Sequence, residues 1–215
     1  ADNNLSSVNV LDISSELVDL FPVIPYDERG LLGVILHPSF ANNGILYYFA
    51  SVPTNSTADF TFPENVNIDH HSVLVEVTFT DSNGSSYFGD GDTYSQQEIL
   101  RLEQPVAESF PIIGSNHNSG SMSFDTNGYL MISIGDAGDA NDTGNGHGLI
   151  GNGQDPSNIW GSIIRIDLNG VNSANGKYGI PLDNPFINDS NKLDEIYAYG
   201  FRNPWTFSLD PASGV

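Results

Sequence analysis

Along most of this chain apolar residues alternate with polar ones or gather in short runs between turn residues, the period of strands rather than helices. Val73, Val75, Val77 and Phe79 place every second residue on an apolar face, as a half-buried strand requires. The pattern predicts strands over Leu31–His37, Ile45–Ser51, Ser72–Thr80, Tyr129–Ile134, Ser162–Leu168 and Trp205–Leu209. Only Asn9–Leu20 shows a trace of helical spacing. Seven Asn-Gly pairs punctuate the runs and mark turns that need positive φ. The chain reads as all-β.

A repeat organises these strands. HPSFANNGILYYFAS (37–51), FDTNGYLMISIGD (124–136) and LDPASGV (209–215) each leave one strand, turn through Pro, Asn or Asp to a Gly, and enter another. The turn glycines Gly44, Gly128 and Gly214 are spaced by 84 and then 86 residues. A steady period built of hairpins points to radial repetition, a β-propeller with long loops; three unrelated hairpins in a β-sandwich are the alternative. At that period the chain holds about two and a half blades, whereas propellers close with roughly 4–8. The expectation is that continued chain or a partner chain supplies the rest of the ring. A homo-oligomer or larger assembly is one way to do so.

Composition narrows the partners. There are 27 acidic residues against six basic ones, a net charge of −21. Such a surface repels nucleic acid and anionic membranes and suits an extracellular or periplasmic setting. Cysteine is absent, which excludes disulfides and thiolate metal sites. The longest clean apolar run, Leu31–Leu36, is interrupted by Gly33, far short of the ~20 residues of a membrane span, so no membrane insertion is expected. The chain opens at Ala1 without a basic-apolar leader, as a secreted protein does once its signal peptide is removed. Five Asn-x-Ser/Thr sites, at Asn4, Asn55, Asn83, Asn141 and Asn188, are close to the roughly three or four that chance gives.

Four runs, in order, carry a resemblance: ERGLLGVILHPSFANNGILYYF (28–49), HNSGSMSFDTNGYLMISIGDAGD (117–139), GQDPSNIWGSIIRIDLNG (153–170), and YGIPLDNPF with EIYAYGFRNPW (178–205). Together they resemble the glucose/sorbosone dehydrogenase family, the soluble sugar dehydrogenases that use pyrroloquinoline quinone (PQQ) and the hedgehog-interacting-protein-like propellers. The resemblance implies a six-bladed propeller. Residues 26–215 would be its N-terminal half, about two and a half to three blades, and residues 1–25 a lead-in or blade-closing segment.

For members that are enzymes the resemblance implies oxidation of an aldose at its anomeric hydroxyl. A histidine takes the hydroxyl proton, hydride passes to PQQ, and Ca²⁺ polarises the quinone. His117 matches the base and Asp136 the carboxylate that orients it; a solvated loop histidine and a turn-capping aspartate are the plain alternatives. Arg202 and Asn203 in GFRNPW match the pair that contacts the quinone and the reacting oxygen. Arg101 and Arg165 fall inside strand patterns and read as ladder or surface residues. Arg29, and Asn116 just before the base, fall in the part of the family that forms the sugar pocket. There the chain departs from the dehydrogenases, Arg29 leaning to the hedgehog-interacting branch.

The run GDAGDANDTGNGHG (135–148) offers Asp136, Asp139 and Asp142 at three-residue spacing, oxygen donors of the kind Ca²⁺ takes. It is no EF-hand, because the twelfth position from Asp136 is His147 rather than Glu, and a solvated acidic loop is the alternative. No zinc-binding spacing occurs among the five histidines. Trp160 and Trp205 read as blade-packing aromatics. Two functions follow: a PQQ-dependent aldose dehydrogenase, or a non-catalytic extracellular propeller that binds a protein or glycan or builds an assembly.

Overall fold

The computed structural model describes residues 9–20, 27–81, 92–108 and 115–210. The third turn glycine, Gly214, lies outside them, as do the sequons at Asn4 and Asn83. Strands β1 (Leu31–Leu36), β2 (Ile45–Val52), β3 (Ile68–Thr80) and β4 (Thr93–Pro105) form one antiparallel sheet in sequence order. Strands β5 (Met122–Phe124), β6 (Leu130–Ile134), β7 (Ser162–Ile166) and β8 (Ile196–Tyr199) form a second with the same order. These are two four-stranded meanders, two blades of a β-propeller. The repeat read from sequence is the blade repeat: Gly44 turns the chain from β1 to β2 and Gly128 from β5 to β6, with φ of 64° and 84°.

Alternation decides what each face does. In β3, Val73, Val75, Val77 and Phe79 lie with Leu46, Tyr48, Ala50 and Val52 of β2 in one apolar cluster, covered by Ile13 with Leu11 and Leu17. The opposite face, with Tyr47, Phe49, Leu74, Leu100 and Leu102, packs against Leu130, Ile132, Ile134, Ile164 and Ile166 of the second sheet. Each of these side chains contributes roughly 1.5–3 kcal/mol by leaving water. The sheets come close because small residues meet at the seam: a Cβ on Gly33 would lie 2.2 Å from the Gly120 carbonyl oxygen.

Several expectations are corrected. Asn9–Leu20 is not helical. Asp12 Oδ1 accepts the Ser14 N–H at 2.9 Å and Ile13 O that of Glu16 at 2.9 Å, giving a single turn; its apolar residues cover a sheet instead. Trp205–Leu209 forms no strand among the described residues, and Trp205 is 67% exposed, since a strand exists only against a ladder partner. Trp160 does pack, stacked on Phe62 at 3.7 Å between centroids. Arg101 and Arg165 lie within β4 and β7 but are buried, each held by carboxylates. The run after β1 holds a short helix, α1 (Phe40–Asn43), closed when the Gly44 N–H donates to Phe40 O at 2.8 Å.

Candidate functional site

The loop leading into β5 carries the first functional side chain. His117 and Ser119 hold φ of 59° and 55°, left-handed values for residues with a Cβ, which cost energy unless neighbours hold them. Glu28, just ahead of β1, supplies the hold. Its Oε2 accepts the His117 backbone N–H at 2.7 Å and the Asn203 side-chain N–H at 3.1 Å. Asn203 Oδ1 in turn accepts the Ser119 hydroxyl at 2.9 Å. One carboxylate thus ties together segments 89 and 175 residues away from it.

Asp136 follows the end of β6. Its Oδ1 lies 2.6 Å from His117 Nδ1 and accepts the Gly138 N–H at 3.1 Å. The Asp136 N–H donates to Arg202 O at 2.8 Å, and its own carbonyl accepts Asn152 Nδ2 at 2.9 Å. The imidazole and the carboxylate are 5% and 1% exposed. An ionised carboxylate only accepts, so Nδ1 carries the ring proton and Nε2 presents a lone pair. Among the described residues Nε2 has no hydrogen-bond partner, and it is not one of the sealed polar atoms. The arrangement can take a proton from a hydroxyl brought to Nε2, and the carboxylate behind it stabilises the imidazolium that results.

Arg202 and Asn203 reach this place on the loop after β8. Arg202 is exposed and donates one N–H to Asp139 O at 3.2 Å. The structure therefore brings His117, Asp136, Arg202 and Asn203 together. Asn116 is buried beside them, its Oδ1 accepting the Asp139 N–H at 3.1 Å. Arg29 is buried too. Its guanidinium donates to Asp27 at 2.7 and 2.9 Å, to Asp69 at 3.2 Å and to Asp19 O at 3.2 Å; the arginine is held fully charged above all by Asp27.

The three loop aspartates do not converge. Asp136 is turned to His117, Asp139 Oδ1 accepts the Glu108 N–H at 2.8 Å, and Asp142 takes His147 Nδ1 at 2.8 Å with the N–H groups of Asn152 and Gly153. A three-residue spacing gathers side chains on a helix, but this loop is irregular and each carboxylate finds its own donors. Among the described residues no three His, Cys, Asp or Glu are arranged to hold a metal ion. Sequence reasoning also passed over Glu28, Ser119 and Asn152. Glu28 stood inside the quoted ERGLLG run, yet nothing local marks a partner so distant in the chain.

The profile of the Glucose / Sorbosone dehydrogenase family matches residues 4–215. The chain is 29% identical to the HIPL1 protein of Arabidopsis thaliana over 97% of its own length and 32% of that protein's. It is 30% identical to the Hedgehog-interacting protein of Mus musculus, over 86% and 23% of the two chains. With quinoprotein glucose dehydrogenase B of Acinetobacter calcoaceticus the identity is 26%, over 86% and 34%. The chain thus spans about a third or less of each relative. A solved glucose dehydrogenase shares the fold with a TM-score of 0.56 at 22% identity, over 92% of this chain and 46% of that one.

Proposed function

This chain belongs to the glucose/sorbosone dehydrogenase family, and from that premise we propose that it forms the base-bearing sector of a PQQ-dependent aldose dehydrogenase. The observation that carries the reading is the buried His117–Asp136 pair with an unengaged Nε2. In this reading His117 Nε2 takes the proton of the sugar's anomeric hydroxyl as the C–H bond yields its hydride. Asp136 fixes the tautomer and stays ionised against the imidazolium. Bound beside them, PQQ supplies the two-electron acceptor.

The residues present suit such a group. Arg202 offers an exposed guanidinium for a ligand carboxylate, and Asn203 is oriented by Glu28 and Ser119. Calcium does not fit Asp136, Asp139 and Asp142, whose oxygens serve separate partners, so no step is assigned to it here. The rest of the ring belongs to continued chain or a partner. The acidic composition supports a place outside the cytoplasm, and no helix among the described residues is long and apolar enough to cross a membrane.

A second reading rests on the likeness to the Hedgehog-interacting protein and on Arg29: a non-catalytic propeller that binds a protein or glycan. One experiment separates them. The complete protein, loaded with PQQ and Ca²⁺, should reduce a dye at the expense of an aldose, and His117→Gln should lower turnover by at least ~10²-fold with the fold intact. Failure to bind PQQ at micromolar concentration would end the enzyme reading; full turnover in His117→Gln would end the assignment of the base.

A further inference from the structure

Four polar side chains are wholly buried on one face of the first sheet: Ser51, His70, Ser72 and Gln104 each have no exposed surface. The register puts them together. Ser51 faces Ser72 across β2 and β3, and His70 faces Gln104 across β3 and β4; cross-strand partners, and residues two apart in one strand, share a face. It is the face whose Phe49, Leu74 and Leu102 pack on the second sheet. The polar group sits at the end nearest the site, where the Ser51 N–H donates to Gly30 O at 2.8 Å.

Three atoms in this group are sealed from solvent and meet no protein partner: Ser51 Oγ, His70 Nε2 and Gln104 Oε1. Gln104 Nε2 already donates to Ser72 Oγ at 3.2 Å. With Nε2 committed to Ser72 Oγ, the amide atom left without a partner is Oε1, an acceptor. Sealed polar atoms are satisfied almost without exception, by protein or by ordered water.

The chemistry of the three atoms fits one water. His70 Nδ1 lies 2.9 Å from Asp69 Oδ2, and a carboxylate only accepts, so Nδ1 holds the proton and Nε2 is an acceptor. Gln104 Oε1 is an acceptor as well. A water placed among them donates one hydrogen to each and accepts the Ser51 hydroxyl, three complementary bonds. The site also connects forward. Asp69 Oδ2 accepts Arg29 Nη1 at 3.2 Å, Arg29 grips Asp27 through Nε and Nη2, and Glu28 between them holds His117 and Asn203.

We infer that Ser51, His70 and Gln104 bind a buried water, which satisfies Nε2 of the Nδ1-protonated His70 and so holds the ring against the Asp69–Arg29 brace behind the His117 loop. His70 is then a positioning residue, acting on the loop through Asp69, Arg29 and Glu28. This bracing would hold whether or not the protein is an enzyme.

Crystals of the complete protein that show ordered solvent, with ¹⁵N NMR of its imidazoles, test the site. A solvent peak ~2.7–3.2 Å from all three atoms and a His70 protonated at Nδ1 are expected; a dry site, or a His70 protonated at Nε2, overturns it. For the brace, the 2.6 Å His117–Asp136 contact should give a downfield Nδ1 proton, which serves as the reporter. His70→Asn, which keeps an N–H toward Asp69, should preserve that signal. His70→Leu should shift or broaden it while circular dichroism shows the sheets intact. Should His70→Leu fail to fold, Gln104→Leu, which removes one acceptor of the water, should perturb the same signal in a folded protein. An unchanged His117 proton in a folded His70→Leu or Gln104→Leu protein refutes the positioning role.

Discussion

Gly135 joins β6 to Asp136 and has no room for a side chain. A Cβ there would lie 1.7 Å from the His117 carbonyl oxygen and 2.5 Å from the carbonyl carbon, where real Cβ contacts do not fall below 3.0 Å. Gly135→Ala must therefore move one backbone against the other by more than an ångström, and no rotamer change relieves it. Gly135 is not among the positive-φ residues, so the alanine itself is unstrained and the whole effect is the clash. On its own side Gly135 is fixed: its carbonyl accepts the Gly161 N–H at 2.8 Å, and the preceding residue pairs with Ser162 in the ladder. The segment that gives way is the His117 loop, and the 2.6 Å His117–Asp136 bond opens with it. Misplacing a reacting group by ~1 Å costs on the order of 10²-fold in rate, and the overpacking costs about 1–3 kcal/mol in stability. PQQ-dependent dye reduction by the complete protein measures the first and urea denaturation the second. Gly128→Ala is the control. Gly128 has φ of 84° and open space around it, so its alanine should lower stability and leave turnover alone. Wild-type turnover in Gly135→Ala, with the His117 Nδ1 proton unmoved, would refute this account of how the loop is held.

Two further outcomes concern stability. Arg165 bonds Asp125 at 2.8 Å and Asp183 at 2.7 Å and lies over the Tyr129 ring at 4.6 Å; Arg165→Leu should destabilise the protein by about 3–5 kcal/mol because it strands the buried Asp125. Urea midpoints should recover in part with Asp125→Asn added, and a neutral Arg165→Leu would show that the ion pair contributes nothing. Burial, and then the Arg101 charge, push the His71 imidazole down from its ordinary 6.5 to about 4, so the folded protein keeps it neutral where the unfolded chain takes up a proton. That contribution is complete above about pH 6.5 and is lost as pH falls toward 4. Wild type should accordingly lose more stability than His71→Gln between pH 7 and pH 5, and equal losses would sink the argument.

The fold was legible where burial shapes the sequence: the Val73–Phe79 series alternates, and β2, buried on both faces, reads as a continuous apolar run. Strand β4 did not. Its first half, Thr93–Gln97, is exposed, so no apolar face is demanded there and only pairing with β3 makes it a strand. Trp205–Leu209 has the composition of a strand and, among the described residues, no partner. The site divides in the same way. His117, Asp136, Arg202 and Asn203 stood in recognisable runs and meet in space. Glu28 stood in one too, but its use as a common acceptor arises only when the start of β1 comes beside the loop into β5 and the loop after β8. The calcium reading failed to gather its ligands because spacing in sequence says little about direction in a loop with no regular φ and ψ.

That loop is where the chain departs from easy geometry. Among the described residues, every non-glycine residue with positive φ is His117, Ser119, Ala137, Asp139, Asn141 or Asp142. All six lie in the two segments that meet at the imidazole. For His117, Ser119 and Ala137 this costs about 1–2 kcal/mol each, less for the Asp and Asn residues that tolerate the region, and Asp136 adds a sealed Oδ2 with no partner among the described residues. The apolar faces are closed chiefly by strand residues, and of these six only Ala137 joins the core between the sheets. The strain is concentrated where an imidazole is backed by a carboxylate and open at Nε2. That is the distribution expected when a fold carries a site rather than when loops merely join strands, and it holds whether the hydroxyl brought to His117 is oxidised or only bound.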